Sequence, residues 1–554
     1  LKSITENDTK RALSNSLIRI RMELNGKLSI KEKVGYALGD GAANIAWRGV
    51  STFLFVFYVD VFGLDPVSVG LLMLVARSSD GLSDVFMGVL GDRSNSKYGK
   101  FRPWILWTAV PLALILSLLF TVPELENQDK ILYAYITYIL FTLIYTANNI
   151  PYGALMGVMT GDDKERTSLG SYRMVGAFAG GMLVQGALLY LVVFFGNVNP
   201  TVEWELLPDR SSYEVRVTSP IDVASARINL KKGLGKFMLK EEADSNTAPT
   251  QSISFKMKAQ QEYVFILSGT EEIDQSDLSL INQKEGYSKS IYLLSVFLAL
   301  FMIVTFLMTK ERVKPPVDQK KDLSKDLKQL LSNRPWLVLL VIGLLFNIYT
   351  SIKMGIIVIY FLHYLNNELL ASSFMIALTL ASILGAMSVA PLGRRYGKKR
   401  LFIMALVFSA LVNCLFIFCG PNDLIPIFAI GMVSEFAAAM FPTLLFVMLG
   451  DAADYSEWTH GRRATGLIYS AGSLATKFGG GIAGAIIGFV LASYHYDGQD
   501  AAAGEGAATG IIMLMSWVPA LIAFAAAGVM SFYPLNKEKM DLITQDLTAK
   551  RVGS

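Results

Sequence analysis

The apolar stretch "LVARSSDGLSDVFMG", residues 74–88, holds three formal charges: Arg77, Asp80 and Asp84. Asp80 follows Arg77 by three residues and Asp84 follows it by seven, so at about 100° per residue the three share one stripe of a helix. An ionised side chain at the centre of a bilayer costs roughly 2.5–3.5 kcal/mol on insertion scales. The stripe must therefore face protein or water. Two acids against one base leave a net negative site that attracts a cation or a proton, with Arg77 free to neutralise one carboxylate. One reading is a coupling-cation site made from Asp80 and Asp84, with Na+ or H+ as the ion and no other cofactor. The competing reading is an ion-pair cluster that locks helices together. Lys477, in "SLATKFGGG", is a buried cation in the second half of the chain. It could neutralise those carboxylates, bind substrate or serve packing alone.

Further polar residues fall inside apolar stretches. Asn44 and Arg48 lie one helical turn apart, and Thr146 and Asn149 share a face, with Pro151 and Tyr152 just beyond. Arg173 and Lys353 stand near the start and middle of two others. A lone Asn in a membrane joins helices as readily as it binds a ligand, and Arg173 or Lys353 can snorkel to an interface. Arg48 lies too deep for that. Converging, these groups would line a wet cavity with hydrogen-bonding partners and aromatic faces, which suits a saccharide.

The elements that must carry these residues are membrane helices. The chain has 554 residues, of which 53% are hydrophobic and only 17% charged, against about 25% charged in soluble domains. Its mean hydropathy is +0.43. Twelve spans are predicted, near 36–61, 67–91, 103–122, 131–156, 170–195, 289–309, 335–362, 370–392, 400–419, 424–449, 465–494 and 508–533. Loops such as "DRSNSKYGKFRP" and "GRRYGKKR" are basic, while the alternating ones, such as "VFGLDPVS" and "LNNELLAS", are not. The positive-inside rule then puts both termini on the cytoplasmic side. Residues 1–33 read as a polar cytoplasmic tail without a cleavable signal, and 534–554 as a second tail. A formal net charge of +4 gives no reason to expect a nucleic-acid partner.

Residues 197–288 interrupt the pattern. "SYEVRVTSPI", "SISFKMKA" and "EYVFILSG" alternate polar and apolar residues, which predicts a small extracytoplasmic β-rich insert. In the middle loop, residues 310–334, Leu323, Leu327, Leu330 and Leu331 fall on one face of an amphipathic helix suited to lipid. The expected domains are thus helices 1–5 (34–196), the insert, helix 6 (289–309), the middle loop and helices 7–12 (335–533). Motifs also recur: "GVLGDRSNSKYGKFRPW" resembles "APLGRRYGKKRLF", and "NIPYGALMGVMTGD" resembles "MFPTLLFVMLGD". The two halves are related six-helix units, as in repeat-built transporters. Cys414 and Cys419 read as free thiols.

"KEKVGYALGD", "FYVDVFGL", "ARSSDGLSDVFMGVLGDRSNSKYGKFRPW", "NIPYGAL" and "GDAADYSEWTHGRRATGLIYSAGSLATKFGGG" resemble the glycoside–pentoside–hexuronide:cation symporters, the melibiose-carrier-like branch of the major facilitator superfamily. The resemblance implies an all-α fold of twelve helices in two bundles and alternating access coupled to a cation. It also implies that the membrane is a plasma membrane, the bacterial inner membrane. It implies that Asp80 and Asp84 are the cation-site carboxylates, with Ser83 and Thr146 as neutral oxygen ligands. It implies a sugar-contacting role for Arg173, a place near the cation for Lys477, and a cytoplasmic gate at Asp451, Asp454, Glu457 and Arg463. Where the melibiose carrier has two sugar-binding aspartates, this chain has Asn44 and Asn149. With Arg48 and Lys353 added, a uronate or other anionic saccharide is expected in place of a melibiose-type α-galactoside.

Three rival readings fit parts of the sequence. "ALGD", residues 37–40, departs from the GxGD element of intramembrane aspartyl proteases at its first position and lacks a paired helix, which argues against an enzyme. A sensor using the insert, and a passive sugar facilitator, are distinguished from a symporter by concentrative uptake.

Overall fold

The computed structural model describes residues 27–94, 96–160, 162–207, 212–230, 236–239, 252–268, 278–312, 331–460, 465–496 and 505–552. The first half holds α1 (Ile30–Val56, continued by a π-turn, Phe57–Val61), α2 (Pro66–Arg93), α3 (Arg102–Leu119), α4 (Asn127–Met159), α5 (Asp163–Gly196) and α6 (Gln283–Met308). The second holds α7 (Arg334–Ile359, continued by a π-turn, Tyr360–Tyr364), α8 (Glu368–Tyr396), α9 (Lys398–Cys414), α10 (Leu424–Ala438), α11 (Met440–His460), α12 (Thr465–Ser493), α13 (Glu505–Met515) and α14 (Trp517–Ser531). A final helix, α15 (Lys537–Val552), follows. Among the described residues, ten stretches are long and apolar enough to cross a membrane. The charge-bearing α2 and the Gly-rich α12, of 28 and 29 residues, reach about 42 Å each at 1.5 Å per residue.

Helices overrun the predicted spans because hydropathy marks the lipid-matched part of a helix and not its polar ends. A capping box at Ser29 and Glu32 starts α1 at Ile30, six residues before the expected span. Asn282 caps α6 inside the stretch assigned to the insert. The tenth and twelfth spans are each broken in two. At the second break the Asn413 amide donates to the carbonyls of Met515 and Ser516, at 2.9 and 2.7 Å, replacing bonds the helix gave up. The C-terminal segment expected to be a tail is helical: Ile543 and Leu547 are buried, and the Trp458 indole donates to Asp546 at 2.9 Å. Of the predicted amphipathic helix, Leu323, Leu327 and Leu330 lie outside the described residues.

The insert is built from β1 (Asn197–Val198), β2 (Thr201–Leu206), β3 (Ser212–Thr218), β4 (Val223–Leu230), β5 (Lys236–Leu239), β6 (Ser252–Met257), β7 (Glu262–Ser268) and β8 (Leu278–Asn282). They form two antiparallel sheets, β1-β8-β4-β6 and β2-β3-β7-β5. Val215, Val217, Ile228, Phe265 and Leu280 share one core, as the two-residue period predicts.

The halves meet toward the insert end of the molecule. A Cβ on Gly488 of α12 would stand 2.2 Å from the Pro66 carbonyl of α2, and one on Gly70 would stand 2.8 Å from the Gly484 carbonyl. Only glycine permits this approach.

Candidate functional site

That close crossing sets Lys477 beside the carboxylates of α2. Lys477 Nζ lies 3.1 Å from Asp80 Oδ2 and 2.6 Å from Asp84 Oδ2. From α4, Thr146 Oγ1 lies 2.7 Å from Asp80 Oδ1 and 3.1 Å from Asp84 Oδ1. Two side chains, Thr146 of α4 and Lys477 of α12, thus meet around one carboxylate pair of α2, one from each half. Asp80 is fully buried. Ser83 stands one turn from Asp80, but its hydroxyl donates to the Asp80 backbone carbonyl at 2.8 Å, as helix hydroxyls commonly do.

Arg77 does not pair with these acids. Its guanidinium lies 3.9 Å above the Trp47 ring and 6.0 Å from that of Tyr138, a cation–π arrangement that spreads its charge over α1 and α4. The sequence offered the neutralising role to both Arg77 and Lys477. Lys477 stands at the carboxylates, because α12 packs directly against α2.

The site opens on a cavity of about 580 Å³ between the halves, lined by Asn44, Trp47, Arg48, Arg77, Tyr138, Tyr145, Asn149, Glu435 and Lys477 among others. Asn44 Nδ2 donates to the Asp40 carbonyl at 2.9 Å. Arg48 lies along the glycine face of α5, its stem beside Gly181. Its Nη1 stands 3.9 Å from the Met354 sulfur of α7.

Tyr152, Arg173 and Lys353 are not in the cavity lining. Tyr152 stacks on Tyr36, ring centroids 4.6 Å apart, and its hydroxyl donates to the Tyr36 carbonyl at 2.6 Å. Arg173 Nε pairs with Asp40 at 3.2 Å. That pair also gives the "ALGD" aspartate a structural partner. Lys353 Nζ pairs with Glu435 Oε2 at 3.1 Å and donates to Tyr349 and Ser434, both at 3.3 Å. Lys353 therefore sits behind Glu435, and it is Glu435 that faces the cavity, its other oxygen accepting from Ser382 at 3.0 Å.

Glu435 is the residue that sequence reasoning missed. Its signal was the same as that of Asp80: a carboxylate inside an apolar run, "GMVSEFAAAM".

Of the expected gate, Asp451 pairs with Lys398 at 2.7 Å, from α11 to the start of α9. Asp454 and Glu457 continue along α11, and Arg463 lies outside the described residues. Cys414 and Cys419 are free thiols.

Comparison with known proteins agrees with this architecture. The inner membrane symporter YicJ of Escherichia coli is 28% identical over 94% of this chain and 95% of its own. The isoprimeverose transporter of Lactiplantibacillus pentosus is 28% identical over 91% and 89%. A bacterial homologue of the human lysosomal transporter Spinster, solved in an inward-facing and unoccupied conformation, superposes with a TM-score of 0.59 at 10% identity, over 91% of this chain and 98% of that one. The sequence matches the MFS/sugar transport protein family over residues 35–224 and 252–537. A twelve-helix, two-bundle membrane fold around a central polar cavity is the architecture of that family, and this chain belongs to it: it is an integral membrane transporter and not an enzyme.

Proposed function

We propose that the protein imports an acidic glycoside by cation-coupled symport, with Asp80 and Asp84 holding the coupling ion and Arg48 anchoring the sugar. The observation that carries this reading is the Lys477 ammonium bound to both carboxylates from the opposite half. A lysine there is a tethered cation. An arriving Na+ or H+ competes with it for the same oxygens, with Thr146 as a neutral ligand, and frees Lys477 from the N-terminal half. Ion binding thereby loosens the contact between the halves, which is what alternating access needs. Cation and sugar must raise each other's affinity equally.

The substrate class follows from charge. The lining bases Arg48, Arg77 and Lys477, with Lys353 behind Glu435, stand against three carboxylates, Asp80, Asp84 and Glu435, which leaves one net positive charge around the cavity before the ion binds. A substrate carboxylate offsets it. Arg48 is the anchor because Lys353 and Arg173 already have acidic partners. Asn44, Asn149 and Glu435 line the cavity and would read hydroxyls, with Trp47 offering an apolar ring face. The basic loops orient the chain with its termini in the cytoplasm and the insert outside.

A thermal-shift screen of the purified protein, with and without Na+, against paired uronides and neutral glycosides tests this. Uronides alone should raise Tm, and Arg48→Gln should remove their advantage. Stabilisation by neutral glycosides alone would overturn the acidic-substrate reading and leave sugar symport standing. In vesicles, accumulation against a gradient separates symport from facilitation.

A further inference from the structure

The insert grows out of the first half, between α5 and α6, but two of its side chains, Arg227 and Asn229, reach the second. Arg227 of β4 is buried, 1% exposed. Its Nη2 donates to the Leu362 carbonyl at 3.0 Å, in the π-turn that ends α7. Its Nε donates to Asn229 Oδ1 at 3.0 Å, and Asn229 Nδ2 in turn reaches Glu368 Oε1, at the start of α8, at 3.5 Å. A π-turn shifts the backbone hydrogen-bond register; here the Leu365 amide bonds to Tyr360, while the Leu362 carbonyl accepts from the insert.

The same spot closes the insert end of the cavity. His363, next to Leu362, places Nε2 2.7 Å from Asp60 Oδ2 in the π-turn that ends α1. The Tyr496 hydroxyl, just past α12, donates to Asp60 Oδ1 at 2.9 Å. A buried aspartate of the first half is thus gripped by two residues of the second. The strand that carries Arg227 is fixed to the first half: β4 pairs with β8, which leads directly into α6, and Ser225 donates to Gln283 at 2.9 Å.

We infer that the insert is a strap across the insert-end gate, and that Arg227 is its buckle. Resting on transport by alternating access, the inference is that the insert-end opening must break the Arg227–Leu362 bond along with the Asp60 contacts. The strap then biases the carrier toward the state that is closed at this end. Arg227 is a positioning residue: it touches neither sugar nor ion, and it acts through Leu362 and His363.

Two variants test it in the full chain, with Cys414 and Cys419 replaced by Ser and a single reporter cysteine at the cavity-lining Ser51. Arg227→Gln should raise the rate at which a membrane-impermeant thiol reagent, added on the insert side, labels that cysteine, by about tenfold, and should change net uptake more than sugar exchange. An unchanged labelling rate in folded protein would overturn the strap. Should Arg227→Gln fail to fold, Asn229→Cys with Glu368→Cys, without the Ser51 reporter, ties the insert to the second half by a disulfide or short thiol linker. Crosslinking should stop transport and reduction should restore it. Continued transport while crosslinked would show that the insert never parts from that half, and the proposal falls. A failure of the transport reading is distinguishable, since wild-type protein would then show no uptake at all.

Discussion

Two buried clusters of Lys and carboxylate share the same chemistry and differ in their consequences. Lys353 and Glu435 pair within the second half, between α7 and α10, supported by Tyr349, Ser434 and Ser382. Lys477 pairs with Asp80 and Asp84 across the interface between halves. The first cluster moves as one body and need never break. The second spans the interface between the halves, and under the proposed symport it must break and re-form in every cycle. A charge pair's location relative to the moving interface, and not its strength, decides whether it is structural or part of the engine.

The largest expected effect breaks the second cluster. Asp84→Asn should reduce cation-driven sugar accumulation in vesicles to the level of carrier-free controls while leaving sugar exchange measurable. Accumulation at the wild-type level would remove Asp84 from coupling. Next, Lys353→Met should lower stability by about 3–5 kcal/mol, because Glu435 is left as an uncompensated buried charge. Adding Glu435→Gln should recover most of it, read as a double-mutant cycle on denaturation midpoints. Lys477→Met should behave differently: Na+ or a proton can occupy Asp80 and Asp84 in its place, so added Na+ or lower pH should restore its midpoint. If both lysine variants respond alike to Na+, the distinction between the clusters is lost.

A third test acts on the crossing itself. Gly488→Val puts a side chain where the Pro66 carbonyl lies and should hold the insert end open, raising cysteine labelling from that side several-fold. The smallest effect concerns a contact inside one half. Asn413→Ala leaves the Met515 and Ser516 carbonyls without their donor and should cost about 1–3 kcal/mol, measured as a lower midpoint with the apparent KM for sugar unchanged.

Much of this was legible early. Spans came from apolar runs, the strands from period-two alternation, and the stripe Arg77, Asp80, Asp84 from its spacing. Lys477 was marked by being a cation in a Gly-rich helix. Helix ends were misjudged where caps such as Ser29 and Asn282 extended them beyond the apolar stretch. Glu435 carries a signal as strong as that of Asp80, a carboxylate inside an apolar run. Arg173 was expected at the sugar from the family resemblance and Lys353 from its charge inside an apolar span; the structure pairs each with an acid, Asp40 and Glu435, from another helix.

By itself the sequence determined that the chain is a membrane bundle of two related halves and that charged groups lie within it, since hydropathy and helical period are local properties. Only the tertiary structure decided which base answers which acid. Asp80 lies three residues from Arg77, but it bonds to Thr146, 66 positions away, and to Lys477, still further along the chain. Pairing in a bundle is set by which helix faces touch, and here glycines on α12 let it touch α2. That contact turns three charges on one stripe into a site shared by both halves.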